Sequence, residues 1–77
     1  MSSDGVVALN NYLQDRGLVA LLLWDDRQSG PLHAPEWTST CQLEGKVVGV
    51  GHGPQKQKAR DMAAKEALKA LTETEAG

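Results

Sequence analysis

Apolar positions recur three or four residues apart in VVALNNYLQDR, where Val6, Leu9 and Leu13 share a stripe and Tyr12 adds an aromatic packing edge. The spacing predicts a helix, with Ser2, Ser3 or Asp4 as its cap and Gly17 as its stop. The period then changes. LVALLLWDD is a short apolar run that reads as a strand, its first part open to being loop, and Asp25-Asp26 read as the solvated strand end. RQSGPLHAP is turn-rich, and Gly30-Pro31 interrupts regular structure. Strict alternation follows in WTSTCQL: Trp37, Ser39, Cys41 and Leu43 fall on one face, Thr38, Thr40 and Gln42 on the other. Glu44-Gly45 makes a tight turn into KVVGVG, so these two strands form a hairpin. From Gln55 to about Leu71 the period is helical again. Ala59, Ala63, Ala67 and Leu71 form a stripe that Met62, Ala64 and Leu68 widen, and TETEAG is expected to fray.

The order is α-β-β-β-α. Short connections between consecutive strands make the three-stranded sheet antiparallel, and both helices are expected on its one apolar face, an α+β fold. At 77 residues the chain is one domain, 1–77, with a core over about 6–71, ends expected to be disordered, and the look of a module of something longer. With 40% apolar and 23% charged residues it reads as globular, and no window reaches the roughly 18 apolar residues of a membrane span.

Cysteine and histidine usage removes several chemistries. Cys41 is alone, so no internal disulfide forms, and its place in an alternating strand makes it a small buried hydrophobe. It has no local basic neighbour to generate a thiolate, and with two scattered histidines it does not match zinc spacing. Asp25 and Asp26, adjacent on a strand, point to opposite faces and offer one ligand to any Mg²⁺. No catalytic residue, metal or cofactor is expected. An intracellular setting, cytoplasmic or nuclear, fits the lone cysteine and an N-terminus without a secretory signal.

The net charge of −2 argues against nucleic acid until it is divided. Residues 1–40 hold two basic and five acidic side chains (−3), and residues 41–77 six and five (+1). Between Gly45 and Arg60 stand Lys46, Lys56, Lys58 and Arg60 with no acid. Cations crowd the first turns of the second helix, the end where the helix dipole disfavours them. A phosphate placed there reverses the sign, since free N–H groups, the dipole and the ammonium groups would all face one anion, with the preceding glycines keeping side chains clear of its approach. The stretch GVGHGPQKQK is neither GxxxxGK[ST] nor GxGxxG, which sets aside mononucleotide and dinucleotide folds.

Taken together, Gly30-Pro31-Leu32-His33, Trp37, the glycines at 49, 51 and 53, then Lys56, Ala59, Arg60, Ala63-Ala64 and Ala67-Leu68 resemble the double-stranded RNA-binding domain. Leu9-Asn10-Asn11-Tyr12 with Gln14 and Gly17 is similar to that family's first helix, so the resemblance runs from about Val6 to Leu71. It implies a non-enzymatic module that binds duplex RNA through shape and backbone contacts. Asn11 and Gln14 would enter one minor groove, Pro31 and His33 the next, and Lys56 and Arg60 would hold phosphates between them, with Lys58, Gln57 and His52 as further candidates. Trp37 is expected in the core, and Trp24 is open between faces. Asn11 stands where the family favours glutamate, Gln57 where it favours lysine, Asp15 where a basic residue is common, and Leu23 where an aromatic is common. Leu23 reads as a conservative core change, while Asn11, Gln57 and Asp15 imply weaker binding than the family pattern. The alternative is a fold kept for pairing with a second copy or another protein through a sheet edge or helix face, with any catalytic activity lying elsewhere in a parent protein.

Overall fold

The computed structural model describes residues 4–76, and Ser2 and Ser3, two of the expected capping residues, lie outside them. Helix α1 covers Asp4–Asp15, strands β1, β2 and β3 cover Leu22–Ser29, Glu36–Leu43 and Lys46–Gly53, and helix α2 covers Lys56–Ala76. The strands form one antiparallel sheet in the order β1-β2-β3, and the helices pack on its inner face. The expected α-β-β-β-α fold is the one observed.

Most boundaries shift by a residue or two from the expected ones, and three shift further. Val19–Leu21 is a turn of 3₁₀ helix, so the strand begins at Leu22 and runs on through Arg27, Gln28 and Ser29. Those three residues are held as strand by pairing with Thr38, Trp37 and Glu36, which overrides their turn-like composition. Helix α2 continues to Ala76, five residues beyond Leu71. Nothing in TETEA breaks a helix, and Thr72 Oγ1 donates to the carbonyls of Leu68 (2.8 Å) and Lys69 (3.1 Å).

The alternation read in β2 is real: Ser39, Cys41 and Leu43 are buried and Trp37 is half-buried. Cys41 donates its thiol to the carbonyls of Gly49 and Ala63, each at 3.6 Å, and burial pushes its pKa up to about 11. At the β2–β3 turn Glu44 and Gly45 both have positive φ (54° and 81°), as the tight hairpin turn requires. A register shift between Cys41 and Gln42 pairs Gly49 with Cys41 but Val47 with Gln42, leaving Val48 packed against the core.

The strand glycines have a different role from the one expected of them. A Cβ at Gly49 would lie 2.1 Å from the Ala63 carbonyl oxygen, and one at Gly51 2.2 Å from that of Ala59. They make room for the backbone of α2, not for a phosphate. Fully buried Ala59, Ala63, Ala64 and Ala67 complete this close seat. Met62, expected to widen the stripe, is 52% exposed, because a helix this near the sheet displaces its larger side chains to the rim. Leu23 is no core residue either. It is 61% exposed on the outer face, opposite in parity to the inward Trp24.

Candidate nucleic-acid interface

Helix α1 buries Leu9 and Leu13 and turns the opposite side outward, where Asn11 and Gln14 are exposed three residues apart. Tyr12 is half-buried against the core as expected, and Arg16 lies over its ring at 3.7 Å with Nη1 donating to the Tyr12 carbonyl (3.2 Å). The first turn of α1 is fixed by a residue far along the chain. Asp61 in α2 accepts the Gly5 N–H at 2.6 Å and pairs with Lys65 at 3.1 Å. The Gly5 N–H is one of the unpaired donors at a helix start, so α2 supplies α1 with its cap. Gly5 has to be small here, since a Cβ would lie 2.6 Å from the Asp61 carbonyl oxygen. From this tie Asn11 and Gln14 stand about 9 and about 14 Å along the helix.

The β1–β2 loop is closed by the Ala34 N–H donating to the Pro31 carbonyl at 3.0 Å, and Pro31 and His33 are both exposed. Leu32, between them, is fully exposed, a projecting apolar residue that the turn-rich stretch leaves without packing. The loop leads into β2, where Trp37 lies beneath α2. Lys56 Nζ sits 5.9 Å from the centre of the Trp37 ring. The loop and the start of α2 therefore share one end of the sheet.

At that end Lys56, Gln57 and Lys58 are exposed, and the first turn of α2 contains no acidic residue. Its initial N–H groups lack intrahelical partners, and the Ala59 N–H closes the turn on the Gln55 carbonyl at 3.0 Å. Lys58 lies about 200° round the helix from Lys56, on the Gly53 side. Arg60 differs from the lysines. It lies 5.3 Å over the Trp24 ring, and its Nε donates to Asp26 Oδ2 at 2.8 Å, with Nη2 on the same oxygen. Ser39 Oγ donates to Asp26 Oδ1 at 2.7 Å.

Asp26 is thus an inward, largely buried residue and not a solvated strand end. Parity with Trp24 and pairing opposite Ser39 place it there, whereas Asp25 faces outward beside Arg27. The hydrogen bond from Arg60 is the first cause holding the Asp26 carboxyl below its ordinary value, against the opposing effect of burial. His52 stands on the outer face, across from Thr38, with 3.0 Å between its Nδ1 and Thr38 Oγ1. Since Gly51 and Gly53 point at α2, alternation turns His52 away from the lysines. Among the described residues no three His, Cys, Asp or Glu side chains come together as a metal site, and no helix is long and apolar enough to cross a membrane.

The family profile for the double-stranded RNA binding motif matches residues 8–71. Ribonuclease 3 of Shouchella clausii is 39% identical over 69 residues, 87% of this chain and 26% of its own length. Ribonuclease 3 of Streptococcus thermophilus is 38% identical over 68 residues, 88% of this chain and 30% of its own. The same enzyme of Streptococcus gordonii is 35% identical over 66 residues, 86% and 28%. The chain spans 26–30% of the length of these curated relatives.

Proposed function

The chain belongs to the double-stranded RNA binding motif family, and from that premise we propose that it binds duplex RNA by shape and backbone contacts, largely without regard to sequence. The observation that carries the proposal is the start of α2. An acid-free helix turn with unpaired N–H groups and exposed Lys56 and Lys58 stands at the same sheet end as the loop holding Pro31 and His33. A-form RNA suits such a surface, because its minor groove is wide and lined by 2′-hydroxyls while its major groove is too narrow to read. Lys56, Arg60 and Lys58 would meet phosphates across that narrow groove, with Gln57 beside them. Asn11 and Gln14 on α1 and Pro31 and His33 on the loop would enter successive minor grooves. His52, facing the other side of the sheet, fits this set poorly.

The module is a binder. If its parent is a ribonuclease, as the relatives are, the reaction belongs to residues outside this stretch, and duplex recognition would deliver substrate to them. Titration with an RNA duplex of about 20 base pairs, beside equal-length DNA duplex and single-stranded RNA, tests the reading. Preference for the RNA duplex that weakens steeply with salt is expected, and Lys56→Ala should reduce affinity and lower the salt slope by about one. Unchanged binding by a folded K56A/R60A protein would remove the site.

A second reading rests on β3, which is an edge strand. Its exposed Val47 and Val50 flank a groove completed by Met62, Glu66 and Ala70 of α2. Such an edge can pair with a strand of a second copy or of another protein. Concentration-dependent sedimentation without any response to RNA would favour it over the first.

A further inference from the structure

Of the three cations at the start of α2, Arg60 is the one already holding an anion. Its Nε and Nη2 are both spent on Asp26 Oδ2, its guanidinium rests over Trp24, and Asp26 is fixed from the other side by Ser39. The Asp26 side chain is 12% exposed and that of Arg60 37%, so the pair sits at the boundary between core and solvent. A carboxylate and a phosphate make the same offer to a guanidinium, anionic oxygens for its planar fork of donors, and here one carboxylate oxygen takes both Nε and Nη2. With the Nε edge taken and the pair's charges cancelling, an incoming phosphate meets less at Arg60 than an unpaired arginine would offer.

We propose that Asp26 sets the affinity of this interface: in the free protein its carboxylate occupies the place of a phosphate at Arg60, and duplex RNA gains Arg60 only by competing with it. The inference rests on the RNA-binding reading above and adds to it a residue that makes no contact with RNA. Asp26, held below its ordinary 3.8 first by the Arg60 hydrogen bond, is ionised at neutral pH as any unburied aspartate would be. Lys56, which makes no bond to Asp26 and feels its charge only through space, carries the first contact, and Arg60 adds to it only to the extent that Asp26 yields.

The test compares wild type, Asp26→Asn, Asp25→Asn, Arg60→Gln and the D26N/R60Q double variant against an RNA duplex of about 20 base pairs at two salt concentrations. D26N removes the competing charge while its one carbonyl oxygen can still accept from Arg60 and its NH2 can donate to Ser39 Oγ, and it should bind about three- to fivefold tighter, the range of a partly exposed ion pair. D25N makes the same change of net charge on the outer face, where Asp25 pairs with Arg27, and should bind as wild type does. Loss of Arg60 should cost more affinity in the D26N background than in wild type, because the two residues act on one another. Binding by D26N no tighter than by D25N, or equal losses at Arg60 in both backgrounds, overturns the proposal. D26N binding weaker than wild type would instead make Asp26 a residue that positions Arg60 for RNA.

Should D26N fail to fold, the Arg60 Nε–H signal of the wild-type protein answers the same question by NMR. It should be protected from exchange in the free protein and shift when duplex saturates the site, and a signal unmoved by bound RNA overturns the proposal. Failure of wild type to bind duplex even at low salt would remove the RNA-binding reading and this inference together. Wild type and D26N binding alike removes only the inference.

Discussion

The two helices are seated by opposite means. Helix α1 reaches the core through large side chains, Leu9 and Leu13, and is tied at its first turn by one hydrogen bond to Asp61. Helix α2 touches the sheet almost backbone to backbone, through alanines above Gly49 and Gly51. Side-chain packing leaves a helix some freedom to adjust, because leucines can change rotamer. Contact at backbone range leaves almost none. The start of α2 is therefore held in a fixed position against the sheet, and that is the part of the surface the proposed RNA contact would use.

Substitutions at the two seats should separate these cases, and the largest effect belongs to α2. Gly51→Val places a side chain where the Ala59 carbonyl oxygen stands, and the cost should exceed about 3 kcal/mol, beyond ordinary overpacking, because backbone must move. Denaturant unfolding measures it. A loss under about 1 kcal/mol would mean that the helix can lift off the sheet, and the contrast would fail. Leu13→Ala should cost about 2–5 kcal/mol by transfer and cavity formation, with the lower end expected if α1 settles into the space. Asp61→Ala, which removes the tie at the first turn and the exposed pair with Lys65, should cost about 1–3 kcal/mol, and amide exchange should rise at the start of α1 before it rises in α2.

Acid sharpens the same comparison. Burial acts to raise the Asp61 carboxyl, but the Gly5 N–H and Lys65 overcome it and hold the pKa below its ordinary value of 3.8, and Asp26 is lowered likewise, first by Arg60. Carboxyls with lowered folded pKa values contribute stability that is present above the unfolded value and lost as pH falls through the folded one. Thermal stability should therefore drop as pH falls from 4 or so downward, and the drop should be smaller in Asp61→Asn than in wild type. An acid profile identical in the variant would mean that the tie carries no charge effect.

What could be read from the chain beforehand was whatever depends on neighbours in sequence. Alternation from Trp37 to Leu43 named the buried face of β2, and the alanine period named the stripe of α2. Partners distant in sequence were not legible. Asp26 looked like one of two strand-end acids because Arg60 stands 34 residues away, and Gly5 gave no sign of Asp61, 56 residues on. Met62 and Leu23 were misplaced for a related reason: a period locates a face, while the depth of a residue on that face depends on how near the opposing layer comes. The outward turn of His52 was available from parity with the glycines. Lys56 and Lys58 stood out by their local charge and Pro31 and His33 by the family resemblance, and the structure places them at one end of the sheet.

Cys41 turns this architecture into a clock. Its thiol lies closed between β3 and α2, bonded to a carbonyl of each and with its pKa raised to about 11. An alkylating reagent can reach it only when the two layers part. The rate of modification in native buffer therefore counts openings of the α2 seat, with no residue substituted beforehand. Duplex RNA bound at the start of α2, as proposed, should slow that count, giving the time scale on which this end of the domain is ever out of place.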